Sequence, residues 1–84
     1  MNYRVTWLPS ADRTLIDLWI AAPDRAELTA AANRIESSLE RDPLGVGESR
    51  SGGVRILIDS PLAIYYTVDT AHRSVLVWDV WRVA

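Results

Sequence analysis

The sequence predicts an α+β domain in the order β-α-α-β-β-β, a helical hairpin packed on one face of a small antiparallel sheet. Three observations carry that expectation. The apolar pattern has period two at the start, changes to helical spacing between Pro9 and Arg41, and returns to strand-like runs after a glycine-rich stretch. Prolines punctuate the changes at Pro9, Pro23, Pro43 and Pro61. The last three strand-like runs are joined by connectors short enough for hairpins, whereas the first strand is separated from them by both helices.

In residues Asn2 to Leu8, Tyr3, Val5 and Trp7 alternate with Asn2, Arg4 and Thr6, the pattern of a half-buried strand that stops at Pro9. Ala11, Leu15, Leu18, Trp19 and Ala22 then fall on one helical face, with Asp12 in the first turn where the helix dipole favours negative charge. Pro23 ends this helix. Asp24-Arg25-Ala26-Glu27 has the form of a capping box and begins a second helix, whose apolar stripe is Leu28, Ala31, Ala32, Ile35 and Leu39. Asp42-Pro43 ends it, because proline disfavours helical backbone in the residue before it.

Leu44 to Gly53 holds all four glycines and no periodicity, so it reads as a loop, long for so small a domain and carrying Glu48 and Arg50. Strands are expected at Val54–Ile58, Leu62–Val68 and Ser74–Arg82, forming an antiparallel meander. In the second of these, Leu62, Ile64, Tyr66 and Val68 are expected beneath the helices, opposite the more polar Ala63, Tyr65, Thr67 and Asp69. In the last, Asp79 marks the wet side, which assigns Val75, Val77 and Trp81 to that side and Leu76, Trp78 and Val80 to the other.

Composition bounds the function. The 84 residues suffice for one hydrophobic core, so a single domain over residues 1–84 is expected, and the 49% apolar content can fill it. No stretch approaches the roughly 18 apolar residues of a membrane span, and the first residues do not resemble a signal peptide, which implies a cytoplasmic protein with no membrane partner. The absence of cysteine excludes disulfides and thiolate metal sites, and the single histidine, His72, lies in a polar turn where no role is expected for it. No metal or cofactor is expected. All nine cations are arginine, suited to bidentate contact with phosphate or carboxylate, yet the net charge of −2 argues against a broad nucleic-acid footprint.

Two sets of residues could carry function. Glu48, Arg50 and Arg55 form a candidate catalytic set: a carboxylate as general base towards a ribose 2′-hydroxyl and guanidinium groups on the developing phosphorane charge. Equally, they could be a solvated loop with a surface ion pair worth under about 1 kcal/mol. Tyr65 and Trp81 are expected on the exposed sheet face, with Arg82 beside them, where they could anchor a protein partner, stack on nucleotide bases, or only cover the sheet.

The chain resembles the RelE/ParE superfamily of type II toxin–antitoxin toxins, the plasmid stabilisation family, along nearly its whole length. The resemblance rests on the order and spacing of Tyr3-Arg4-Val5-Thr6-Trp7 followed by Pro9-Ser10-Ala11, Leu39-Glu40-Arg41-Asp42-Pro43, Gly53-Val54-Arg55-Ile56-Leu57, Leu62-Ala63-Ile64-Tyr65-Tyr66-Thr67-Val68-Asp69, and Val75-Leu76-Val77-Trp78-Asp79-Val80-Trp81-Arg82. It implies growth inhibition by a toxin that a cognate antitoxin neutralises, acting on the ribosome and messenger RNA or on DNA gyrase, with a homodimer as a further possibility. Where the RNA-cleaving branch carries an arginine in the third strand, this chain has Ala63, and no C-terminal catalytic His or Tyr follows Trp81. The resemblance therefore favours macromolecular binding, with a metal-free ribosome-dependent endoribonuclease and a non-toxic interaction module as alternatives.

Overall fold

Pro9 occupies the first turn of a helix, where its missing N–H would have no partner anyway, and its fixed φ starts the turn. In the computed structural model, which describes residues 2–83, that helix is α1 (Pro9–Ala21). It follows β1 (Arg4–Trp7) and precedes α2 (Arg25–Arg41). The glycine-rich stretch contains a two-residue strand, β2 (Glu48–Ser49), and a single tight turn over Ser51–Gly53 before β3 (Arg55–Asp59), β4 (Leu62–Asp69) and β5 (Ser74–Arg82). The expected order of helices and long strands is present, with β2 as an added element.

The five strands form one sheet in the order β1-β5-β4-β3-β2. Neighbours from β2 to β5 are antiparallel, but β1 runs parallel to β5, so the sheet is mixed rather than wholly antiparallel. The meander leaves the far edge of β5 unpaired. The two helices between β1 and the meander form a crossover long enough to set β1 alongside that edge in the same direction. The backbone amides of Arg4 and Leu8 donate to the carbonyls of Arg73 and Val77 at 2.9 and 3.0 Å.

Both helices lie on one face of the sheet. Leu28, Ala31, Ile35 and Leu39 of α2 pack against Leu62, Ile64 and Tyr66 of β4 and Val75, Val77 and Val80 of β5, all of them buried. Val5 and Trp7 of β1 and Tyr3 just before it join this core, and Leu15, Leu18 and Ala22 join it from α1 and its end. At roughly 1.5–3 kcal/mol for each large aliphatic side chain removed from water, this layer is the main source of stability.

Two local expectations fail for identifiable reasons. Asp24 does precede α2, but its carboxylate makes no capping bond; its Oδ2 accepts from Nη2 of Arg82 at 2.6 Å. A charge-assisted bond to a guanidinium outcompetes one to a neutral amide. In β5, Tyr65 faces Asp79 while Tyr66 faces Val77, so Trp78 is an extra residue in a β-bulge. The alternation therefore slips by one. Val75, Val77 and Val80 all point beneath the helices, and Trp78 is turned to solvent with Asp79.

Candidate functional site

Strand register sorts the sequence candidates onto two faces, because directly paired residues share a face. Glu48 pairs with Ile56, Ile56 with Tyr65, and Tyr65 with Asp79, which sets these four in one row across the face that carries no helix. Ile58, Ala63 and Trp81 form the next row. Tyr65 and Trp81 are diagonal neighbours whose ring centroids lie 4.7 Å apart at an interplanar angle of 49°, the tilted contact that aromatic quadrupoles favour. They lie together on the open face, as expected.

Trp78 extends this aromatic surface. It is 48% exposed, and its indole N–H donates to Thr67 Oγ1 at 2.8 Å, which fixes the ring against β4. Sequence alternation set it on the side opposite Asp79, and the bulge places both residues on the open face. Ile58, also largely exposed, lies on the same face at the other side of the Tyr65–Trp81 pair. The open face thus carries three aromatic rings and two isoleucines, Ile56 and Ile58, bordered by Glu48 and Asp79.

Arg55 and Arg82 fall on the opposite face. Arg55 pairs with Tyr66, and its guanidinium closes the loop from within: Nε donates to Tyr66 Oη at 3.3 Å, Nη1 to Ser49 Oγ at 3.3 Å, and Nη2 to the carbonyls of Leu44 and Val46 at 3.1 and 3.0 Å. Tyr66 Oη in turn donates to this same group of carbonyls, lying 2.8 Å from Pro43 O and 2.9 Å from Val46 O. Gly47 completes the closure. At φ 68° it adopts a left-handed conformation, and a Cβ there would stand 2.5 Å from the Ile56 carbonyl oxygen.

Arg82 is committed to Asp24, and the guanidinium holds that carboxyl below the usual carboxylate range. Glu48 and Arg50 are exposed and only loosely paired, Nη2 to Oε2 at 4.0 Å. The candidate catalytic set is therefore divided, with Glu48 and Arg50 at the rim of the open face and Arg55 behind it. His72, in the β4–β5 turn, lies 2.8 Å from Asp69 Oδ2 through Nδ1, and this contact lowers the Asp69 pKa.

A second apolar surface has no counterpart in the sequence expectations. Ile16, Trp19 and Ile20 of α1 are 51%, 42% and 58% exposed, and Trp19 borders a groove of about 240 Å³ between the two helices, with Leu15, Leu28 and Ala32. The helical spacing placed Trp19 on the packing face; instead its indole N–H reaches Thr29 Oγ1 at 3.0 Å at the margin. Ile16 and Ile20 recur four apart outside the packing stripe, a signal visible in the sequence.

A helical hairpin on one face of a mixed sheet, with the other face open and aromatic, is a RelE/ParE-like toxin fold. The likeness to solved structures spans the chain from end to end. A chain of the RelBE2 toxin–antitoxin complex from Mycobacterium tuberculosis superposes with a TM-score of 0.79 and 26% identity, covering 98% of this chain and 99% of that one. The chromosomal ParDE toxin–antitoxin system of P. aeruginosa contributes a match at TM-score 0.71 and 16% identity, covering 98% and 97%. The archaeal RelE–RelB complex from Pyrococcus horikoshii matches at 0.67 and 14% identity, covering 98% and 96%. No protein-family model and no curated protein sequence matches the chain.

Proposed function

We propose that this chain is the toxin-like component of a type II toxin–antitoxin module, inhibiting growth by binding a macromolecule of translation or DNA gyrase, and neutralised by a cognate antitoxin that covers the open sheet face. The observation that carries this reading is the Tyr65–Trp81 pair beside Trp78 on a face that no helix of the chain protects. Clustered, partly exposed aromatic rings are the residues that dominate binding energy at protein interfaces. The end-to-end likeness to toxin chains solved with their antitoxins supports the same partner class.

Binding is favoured over ribonuclease action by the state of the arginines. A metal-free endoribonuclease needs a guanidinium fork at the phosphate beside the Glu48 base. Arg55 already donates to carbonyls and hydroxyls on the other side of the sheet, and Arg50 is the only arginine of that set near Glu48.

Expression in a bacterium with and without the product of the neighbouring gene tests the proposal. Growth arrest by the chain alone, relief by co-expression, and relief by Trp81→Ala or Tyr65→Ala are expected, with transcripts remaining intact. Normal growth with partner binding retained would identify a non-toxic interaction module instead. Transcript cleavage abolished by Glu48→Ala would identify the ribonuclease.

A further inference from the structure

A carboxylate stands among the aromatic rings of the open face without a counter-ion. Asp79 lies directly opposite Tyr65 in the strand register, with Trp78 before it along β5 and Trp81 two places after it. Its Oδ1 accepts from the Val80 N–H at 2.9 Å, while Oδ2 has no partner among the described residues. The other carboxylates of this face each have a neighbour of opposite or titratable charge, Glu48 in Arg50 at 4.0 Å and Asp69 in His72 at 2.8 Å. No arginine plays that part for Asp79. Arg55 and Arg82 are turned to the helical face, Arg4 and Arg73 sit at the far end of β5, and Arg50 is about 14 Å away, across three strand spacings. The arginines of α2 lie behind the sheet, and α1, which packs along β5, brings Arg13 only with Asp12 and Asp17 beside it.

We propose that the partner segment docking on this face is a polypeptide that delivers an arginine to Asp79, its guanidinium on Oδ2 and flanked by the rings of Tyr65 and Trp78, with apolar side chains on Trp81 and Ile58. The inference rests on the reading of the open face as the partner-binding surface, and names the chemistry of what binds there. A guanidinium meets both halves of the site: its fork fits a carboxylate, and its plane stacks on an aromatic ring within about 6 Å of the centroid. The second mode already occurs within the chain, where Arg25 lies 4.8 Å from the centroid of the Trp19 ring. Aromatic rings also stack on bases, but a nucleic acid would bring its phosphates onto a face whose unpaired charge is negative. An acidic peptide would meet the same repulsion.

Selection from a random peptide library on the purified chain tests it. Enrichment of peptides carrying an arginine among apolar residues is expected. Asp79→Asn, which retains an oxygen for the Val80 N–H, should weaken such a peptide about tenfold; exchanging the peptide's arginine for glutamine should cost the same, with no further loss when both changes are combined. Circular dichroism verifies that the variant stays folded. In the parent chain the preference for arginine over glutamine should narrow as salt rises, a measurement that needs no variant. Enrichment of acidic or uncharged peptides, additive losses in the combined experiment, or tighter binding of a single-stranded RNA oligonucleotide would each overturn the proposal. Growth arrest relieved by the neighbouring gene's product, without any preference for arginine, would overturn it while leaving the toxin reading intact. A preference for arginine without growth arrest would uphold it and remove the toxin reading.

Discussion

Arg55 exemplifies how an exposed-looking polar residue is captured by the backbone. Its donors and Tyr66 Oη together satisfy carbonyls in the segment from Pro43 to Val46, which belong to no helix or long strand and would otherwise lack partners. Tyr66→Phe is expected to cost about 1–2 kcal/mol and Arg55→Ala about 2–3 kcal/mol, measured by urea unfolding, since each leaves part-buried acceptors unpaired. Gly47→Ala should destabilise by more than about 2 kcal/mol, because the added Cβ meets the Ile56 carbonyl and the left-handed φ is unfavourable for alanine. At the open face the sign reverses. Trp81→Ala should reduce affinity for a partner by tenfold or more, about 1.4 kcal/mol or above, with a smaller change in stability, as calorimetric titration against the cognate antitoxin would measure. The presence of Tyr65 and Trp81 on one face was legible from strand alternation. The capture of Arg55 was not, because its acceptors lie in the adjoining glycine-rich loop, where no periodicity shows which way the carbonyls point.

Among the elements, α2 is tied to the sheet by ion pairs at its middle and at its N-terminal end. Arg34 holds Asp59 at the end of β3 through two parallel bonds, Nε to Oδ2 at 3.1 Å and Nη2 to Oδ1 at 2.8 Å, and Arg82 at the end of β5 holds Asp24 before the first turn. The Asp24 and Asp69 carboxyls are held below their ordinary values, by Arg82 and His72 respectively. A carboxyl whose pKa is lower in the folded than in the unfolded chain stabilises the fold above its unfolded pKa. That stability is lost as pH falls through the folded value. Thermal stability should therefore decline as pH falls below about 4, and Asp24→Asn should flatten the decline. An Asp24→Asn profile parallel to that of the parent chain would exclude the pair from it. The β5 bulge is a second decision at this scale. Without it, Asp79 and Val80 would exchange faces, and the core would lose a valine that is 1% exposed.

At the scale of the molecule, helices cover one face of the sheet and leave the other open, and the sheet edge is closed by a strand from the opposite end of the chain. β1 pairs with β5 across almost the full sequence, so removing β1 should expose that edge and abolish cooperative unfolding rather than merely lower its midpoint, as seen in denaturant titration followed by tryptophan fluorescence. The two exposed apolar surfaces, aromatic on the sheet and aliphatic on α1, lie on opposite sides of this frame. They can accordingly be occupied by different partners.

The sequence by itself determined the helical hairpin, the three long strands, the buried face of β4 and the placement of Tyr65 and Trp81 together on the other face. These follow from local periodicity, proline breaks and short connectors, all properties of neighbouring residues. Only the tertiary structure decided that β1 runs parallel to β5, that Trp78 turns outward, that Asp24 binds Arg82 instead of capping α2, and that Arg55 faces the loop rather than the open sheet. Each of these depends on a bond between residues distant in the chain, where charge-assisted pairing and the register of two strands outweigh the local preference.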